Sequence, residues 1–489
     1  MKIFNKVRGI AILLFALVFV APCLSQVIPS ESGYIPSSNE YWMSVPTMTL
    51  NPQSANLILP VEVDNSQKKF FPQFDGTETL YIYNQGHNTA ACQNVSTVFY
   101  TFAYEMNRLR NRNGNTQSSR YAPNFSYNHL NHGHSGWQGY TSLEKVQKFL
   151  TETGAMSDSL FDGPGKLNHL DNWKWHTGFD YYKHVFTNKL LHVQKFDMTV
   201  QTGLQEETLE LMKHYLYDHN EGTPDNGGLI SIGVINQNSF GYLPQQSPYA
   251  GQFVVTKFVY DDGGHAMAIV GYNDEVKFDW GGAGTSTNFL PDGEFRNDID
   301  NNKDGVIDVR DWEIGAFKVV DSYDTTYFNK GFKWMLYSYF PHIQNQWFKN
   351  EMYALQPKMN NEPSLVFKAK INAGDRDDFR LGCGYAPLAN ATAPVGDPIY
   401  FTGYDFDGGS LPMQGLTIDS LPLPDTIDVL FDLSVHFDNQ HIGKAYFLSE
   451  AHPDSIVNGT GNIEYLALVD YRWNEEFELP FEGTMPYTI

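Results

Sequence analysis

The hydrophobic period of this chain changes part-way along, and that change limits what it can fold into. Val95, Val98, Phe99, Phe102, Met106 and Leu109 recur at helical spacing, so a long helix is expected to begin at or just after Cys92. A second is expected from Thr141, whose hydroxyl caps it with Glu144 three residues on. Leu143, Val146, Phe149 and Leu150 form its inner face, and Gly154 ends it. A third covers about Glu206 to Tyr217. Beyond that the period shortens. Leu229–Ile235, Gln252–Tyr260, His265–Tyr272 and Ala316–Tyr323 are short apolar runs bounded by Gly, Asn and Asp, the pattern of strands. Helices first and strands afterwards predict an α+β domain rather than a βαβ array.

After Pro357 the pattern is of strands alone. FDLSVHF (Phe431–Phe437) alternates cleanly, and LVFKAKINA, GKAYFLSEA and IEYLALVDYRW are similar. A β-sandwich is therefore expected over 357–489. At 489 residues the chain exceeds one ordinary core, so the main domain is set at 59–350 with this second one behind it. Residues 26–58 are rich in Ser, Pro and Asn and read as an extended lead-in without a long charged helical segment. Residues 1–25 place Lys2, Lys6 and Arg8 before an apolar run from Ile10 to Val20 and then small residues. That is a secretory signal peptide, with cleavage expected after Ser25. Export follows, with cell-surface or periplasmic retention open.

The balance of 56 acidic against 33 basic residues gives a formal charge of -23. It argues against nucleic acid or an anionic membrane surface as partner, since both require a basic face. No other segment approaches the ~20 continuous apolar residues of a membrane span, and a monomer is expected. Beyond the leader the chain has Cys92 and Cys383, too few for a disulfide framework. They either pair with each other or leave at least one working thiol.

Cys92 sits where a helix begins, and a helix N-terminus favours an anion. A thiolate needs a partner that is both cation and base. DDGGHAMAIVGYND supplies His265, opening an apolar strand after Gly263 and Gly264. Farther on, Asp321 ends the strand in GAFKVVDSYDTTYFNKGF, placed to hold the second imidazole nitrogen.

In this order the motifs resemble the papain family of cysteine peptidases. The matches are Gln85–Gly86 before Cys92, then Gly264–His265–Ala266 with Gly271–Tyr272, then Asp321–Ser322–Tyr323 with Gly331–Phe332. RYAPNFSYNHLN (Arg120–Asn131) is similar to the segment after that family's first helix, and the likeness spans roughly residues 59–345. It also extends to secreted bacterial members with a C-terminal β-domain. The resemblance implies a two-lobed papain-like domain, one lobe helical and the other β-rich. It also implies a protein or peptide substrate, with Cys92 as nucleophile and His265 as base and acid. Asp321 would orient the imidazole, and Gln85 with the Cys92 N–H would hold the oxyanion. Four departures stand out. Gln85 lies one residue farther from Cys92 than in the family, Ala90–Ala91 replace the usual Gly-Ser, Asp321 replaces Asn, and Tyr323 replaces a shielding Trp. The alternative from another class is a catalytically inactive surface or adhesion protein on the same fold. Hydrolysis or transfer of a non-peptide amide or acyl group is a third.

Between His265 and Asp321 lies DIDNNKDGVIDVRD, near 296–312. Asp300, Asn302, Asp304, Asp308 and Asp311 fall at positions 1, 3, 5, 9 and 12 of an EF-hand-type loop, also similar to dockerin loops. The carbonyl of Val306 stands at position 7 and Gly305 at position 6. A structural Ca2+ ion is expected, weakly held because Asp311 replaces the usual bidentate Glu. His129, His132 and His134 read as residues of a polar loop near the cleft, Cys383 as a buried bystander, and the partner of the C-terminal domain is left open.

Overall fold

The computed structural model describes residues 34–72, 90–134, 139–161, 174–199, 203–235, 240–256, 264–280, 293–323, 328–341, 343–345, 348–417, 420–437, 442–451, 461–471, 477–480 and 487–488. The leader and Gln85 lie outside the described residues.

The helix expected at Cys92 forms. It runs as an α-turn over Cys92–Asn94, widens to the π repeat over Val95–Phe102, and returns to α over Ala103–Leu109. Its apolar side chains Val98, Phe102 and Met106 pack into the main core, while Ser96 and Thr97 line a buried polar seam. There Ser96 Oγ lies 3.0 Å and Thr97 Oγ1 3.3 Å from Ser231 Oγ. The seam fixes the helix against the strand Ile230–Ile235, because a buried hydroxyl is stable only where it finds a partner.

The second helix spans Leu143–Glu152, and its cap is Ser142 rather than Thr141, with Ser142 Oγ accepting from Lys145 N at 3.2 Å. Thr141 instead belongs to a short strand with Ser142, and Glu144 accepts from Ser38 N at 2.8 Å. Gly154 follows the helix at φ +101°, a conformation suited to glycine. The third helix covers Gln205–Asp218.

The four strands expected from the sequence all belong to one nine-stranded sheet. Gly264–Lys277 lies inside it, antiparallel to Ile230–Ile235 on one side and to Ile314–Val320 on the other. Phe332–Leu336 pairs antiparallel beyond Ile314–Val320. This order puts the start of the His265 strand near the end of the Asp321 strand.

The C-terminal part is built almost entirely of strands, as expected, but with one boundary moved. FDLSVHF does not form one strand. The strand Thr426–Asp432 stops and Ser434–Phe437 is a helical turn, because Asp432 Oδ1 accepts from Ser434 N at 2.8 Å and turns the chain. Two small antiparallel sheets result, one built on Leu365–Asn372 and the other on Phe379–Ala386. Their rings meet between them: Phe401 stacks on Phe431 at 4.3 Å, and Phe367 meets Phe447 edge-on at 5.3 Å.

These sheets are also joined to the helical part. Lys189 Nζ bonds Asp432 Oδ2 at 2.7 Å with both side chains buried. The Arg376 guanidinium lies 4.1 Å over the Trp175 ring, whose other contacts include stacked His129 at 4.5 Å.

Candidate active site

Cys92 begins its helix, with Ala91 as an N-cap that contributes no side-chain bond. It is buried, 1 % exposed, and its thiol donates to Gln93 Oε1 at 3.2 Å. Gln93 is in turn anchored through Nε2 to the Ala90 carbonyl at 2.7 Å. The main core surrounds the sulfur, so the helix start is held in place by packing.

His265 is the second residue of its strand, paired with Val234. Its Nε2 lies 2.8 Å from Asp321 Oδ1. The ring also hydrogen-bonds Cys92, and Nδ1 is the nitrogen left for that contact. Burial works against charge on the imidazole. The Asp321 carboxylate and the Cys92 sulfur outweigh it, and raise its pKa to about 9. Tyr323 stacks on the ring at 5.3 Å and 12°, the place where the sequence suggested an aromatic shield.

Asp321 follows Ile314–Val320 directly. Its Oδ1 also accepts from Ser322 N at 2.7 Å, and its Oδ2 from Lys333 Nζ at 2.6 Å. Burial pushes the carboxyl up, but Lys333 and then His265 hold it well below the ordinary carboxylate range. Cys92, His265 and Asp321 are therefore brought together from three elements. Gln85 lies outside the described residues.

Two neighbours were not singled out from the sequence. Lys333 was visible as a lone cation in the apolar strand FKWML, all of it buried. Tyr34 carried no such signal. Tyr34–Ile35 pairs in parallel with Thr141–Ser142, while the Tyr34 hydroxyl donates to Glu351 Oε2 at 2.6 Å. Its ring packs on Gly264, where an added Cβ would come within 2.8 Å. Tyr34 is also close enough to Cys92 for the sulfur to disfavour its ionisation, behind the larger effects of burial and Glu351. Tyr34 thus lies close both to Gly264, next to His265, and to Cys92.

No protein-family model matches the sequence, and no curated protein is similar to it in sequence. Among solved structures the chain is similar to papain-like cysteine proteases over about two-thirds of its length. Xylellain, a cysteine protease from Xylella fastidiosa, aligns at 15 % identity and TM-score 0.40, covering 67 % of this chain and 96 % of that one. Procathepsin B S9 from Trypanosoma congolense gives 14 % and 0.36 over 65 % and 84 %. Digestive procathepsin L 3 of the Tenebrio molitor larval midgut gives 10 % and 0.34 over 65 % and 79 %. These likenesses are low, and the case for chemistry rests on the residues' own geometry.

The loop 300–311 is ordered by its own side chains. Asp300 accepts from Asp304 N at 3.1 Å and Gly305 N at 2.9 Å, and Asp304 accepts from Val306 N at 2.9 Å. Asp311 accepts from Asn302 N at 2.9 Å and Asp308 N at 3.0 Å, closing the loop. Arg310 pairs with Asp304 at 2.5 Å and Asp308 at 2.6 Å. Among the described residues no three His, Cys, Asp or Glu side chains converge tightly enough to grip a metal as they stand. The donors are nonetheless all oxygens, as a hard cation prefers.

Other expectations resolve simply. Both Cys92 and Cys383 are free, and burial pushes the Cys383 thiol up to about 12. His129, expected on a polar loop, instead lies in the helix Pro123–Leu130, fully buried and stacked on Trp175, and burial lowers its pKa to about 3. Among the described residues no helix is long and apolar enough to cross a membrane.

Proposed function

We propose that this chain is an exported thiol peptidase of the papain type. The observation that carries the reading is His265, bonded on one side to Asp321 and on the other to Cys92. In the proposed reaction the Cys92 thiolate attacks a peptide carbonyl carbon, and the carbonyl π electrons move to oxygen. The Cys92 backbone N–H, at a helix start where N–H groups lack intrahelical partners, holds that oxyanion. The His265 imidazolium gives its proton to the leaving amine as the C–N bond breaks, which leaves a thioester. Water then attacks as neutral His265 takes its proton, and the thiolate departs from the carboxylic acid product. Asp321 fixes the imidazole's orientation throughout. The Gln85 amide is assigned to the same oxyanion from the family resemblance.

Export is proposed on the Lys2–Ser25 segment. Calcium is proposed for the 300–311 loop, held by Asp300, Asn302, Asp304, Asp308 and the Val306 carbonyl, with Asp311 bracing the loop. Bound there, the ion would order the connection between the strands that carry His265 and Asp321.

One observation favours a non-catalytic reading. Cys92 is 1 % exposed, with Tyr34 of the lead-in in the same core cluster. A polypeptide therefore reaches the sulfur only after its surroundings open, and the lead-in is the segment proposed to move. Hydrolysis of an unfolded protein substrate separates the two. Peptide products that disappear with Cys92→Ser support the peptidase; none from the parent protein after removal of residues 26–38 supports the binding scaffold.

A further inference from the structure

We propose that Lys333 is a positioning residue for the Cys92–His265 pair: bonded to the far oxygen of Asp321, its ammonium offsets the carboxylate's charge as felt by His265. This rests on the proton-exchanging role given above to His265.

The geometry divides the work of the two Asp321 oxygens. Oδ1 takes His265 Nε2 at 2.8 Å and Ser322 N at 2.7 Å, and Oδ2 takes Lys333 Nζ at 2.6 Å. Both Asp321 and Lys333 are 1 % exposed. A buried carboxylate without a counter-ion is costly, and one beside an imidazole in a dry site would hold the ring's proton tightly. The proposed reaction needs the opposite: His265 must surrender its proton to the leaving amine. An uncharged carboxamide would orient the ring without this penalty, and the resembling family places Asn here. This chain has Asp321 and, on the neighbouring strand, a cation that reaches it. Lys333 thereby lets a charged residue do the work of a neutral one.

The titratable groups around this pair come from several elements. Cys92 faces His265 from the helix start, Tyr323 stacks on the imidazole, and Tyr100 donates to the Asp321 carbonyl oxygen at 3.0 Å. Tyr34 and Tyr127 lie beyond, each sensing the Cys92 sulfur. Phe328 covers the ammonium at 4.6 Å.

The test is an NMR titration of His265 in the full chain carrying 13C-labelled histidine, its signal assigned by loss in His265→Gln. Lys333→Met removes the offsetting charge and is expected to raise the His265 midpoint by about one pH unit or more. Adding Asp321→Asn is expected to bring it back to or below the parent value. A midpoint unmoved by Lys333→Met overturns the proposal. If that variant does not fold, the double variant, which leaves neither charge stranded, is compared with Asp321→Asn alone. A midpoint higher by about half a pH unit or more in the double variant shows that the ammonium acts on the ring, and equal midpoints overturn the offset. The titration needs no turnover, so failure of the peptidase reading would appear separately, as absence of Cys92 chemistry in a protein whose His265 still responds to Lys333.

Discussion

His265 Nε2 lies 2.8 Å from Asp321 Oδ1, on the ring that also bonds Cys92. An imidazole held between a carboxylate and a sulfur keeps its charge to a pH of about 9.

Stability should follow that charge. His265 has a folded pKa raised above the unfolded value of about 6.5. Its contribution is therefore complete below about pH 6.5 and lost as pH rises through about 9. The expected loss is on the order of 3 kcal/mol. Thermal melts between neutral pH and pH 10 should show the decline, and His265→Gln should flatten it. Equal slopes in both proteins would contradict the assignment.

The seat of Tyr34 predicts access. Tyr34→Ala removes the ring packed on Gly264 and the bond to Glu351, so the Cys92 thiol should react with iodoacetamide at least about tenfold faster, a difference of ~1.4 kcal/mol in opening. Labelling rates followed by mass spectrometry measure this. An unchanged rate would mean that the lead-in does not limit access.

Arg310 stands among the acidic side chains of the 300–311 loop, and so competes with a cation. Millimolar Ca2+ is expected to raise the melting temperature, and Arg310→Ala to tighten binding several-fold in calorimetric titration. Asp300→Ala should abolish both effects. Melts insensitive to Ca2+ and to chelator would remove the calcium proposal and leave an acidic turn closed by Arg310.

Lys189 and Asp432 form a buried pair between the helical part and the C-terminal sheets. Asp432→Ala strands the ammonium and should cost about 3–5 kcal/mol, read by denaturant unfolding. Truncation at 357 should leave an aggregating product, since Trp175 and His129 lose the Arg376 and Tyr404 surfaces that bury them.

The helix at Cys92 and the strands at His265 and Asp321 were legible because long apolar periodicity survives into the fold. Local polar chemistry was harder to read. Ser142 captured the cap from Thr141, and the Asp432 side chain ended a strand that alternation alone would continue through Phe437. Cys92, His265 and Asp321 could be picked out by order, but Lys333 and Tyr34 act through contacts that no spacing encodes. Lys333 pairs with a residue twelve positions away across a turn, and Tyr34 bonds Glu351 across 317 positions.

The central claim is that Cys92 is an activated nucleophile. Limiting iodoacetamide at mildly acidic pH on the folded, calcium-loaded protein and on Tyr34→Ala tests it directly, with peptide mass spectrometry to find the label. Ordinary thiols are protonated there and react slowly. The account predicts that Cys92 is labelled well ahead of Cys383, faster in Tyr34→Ala, and not after His265→Ala. Cys92 unlabelled in both proteins, or labelled no faster than Cys383, would contradict it.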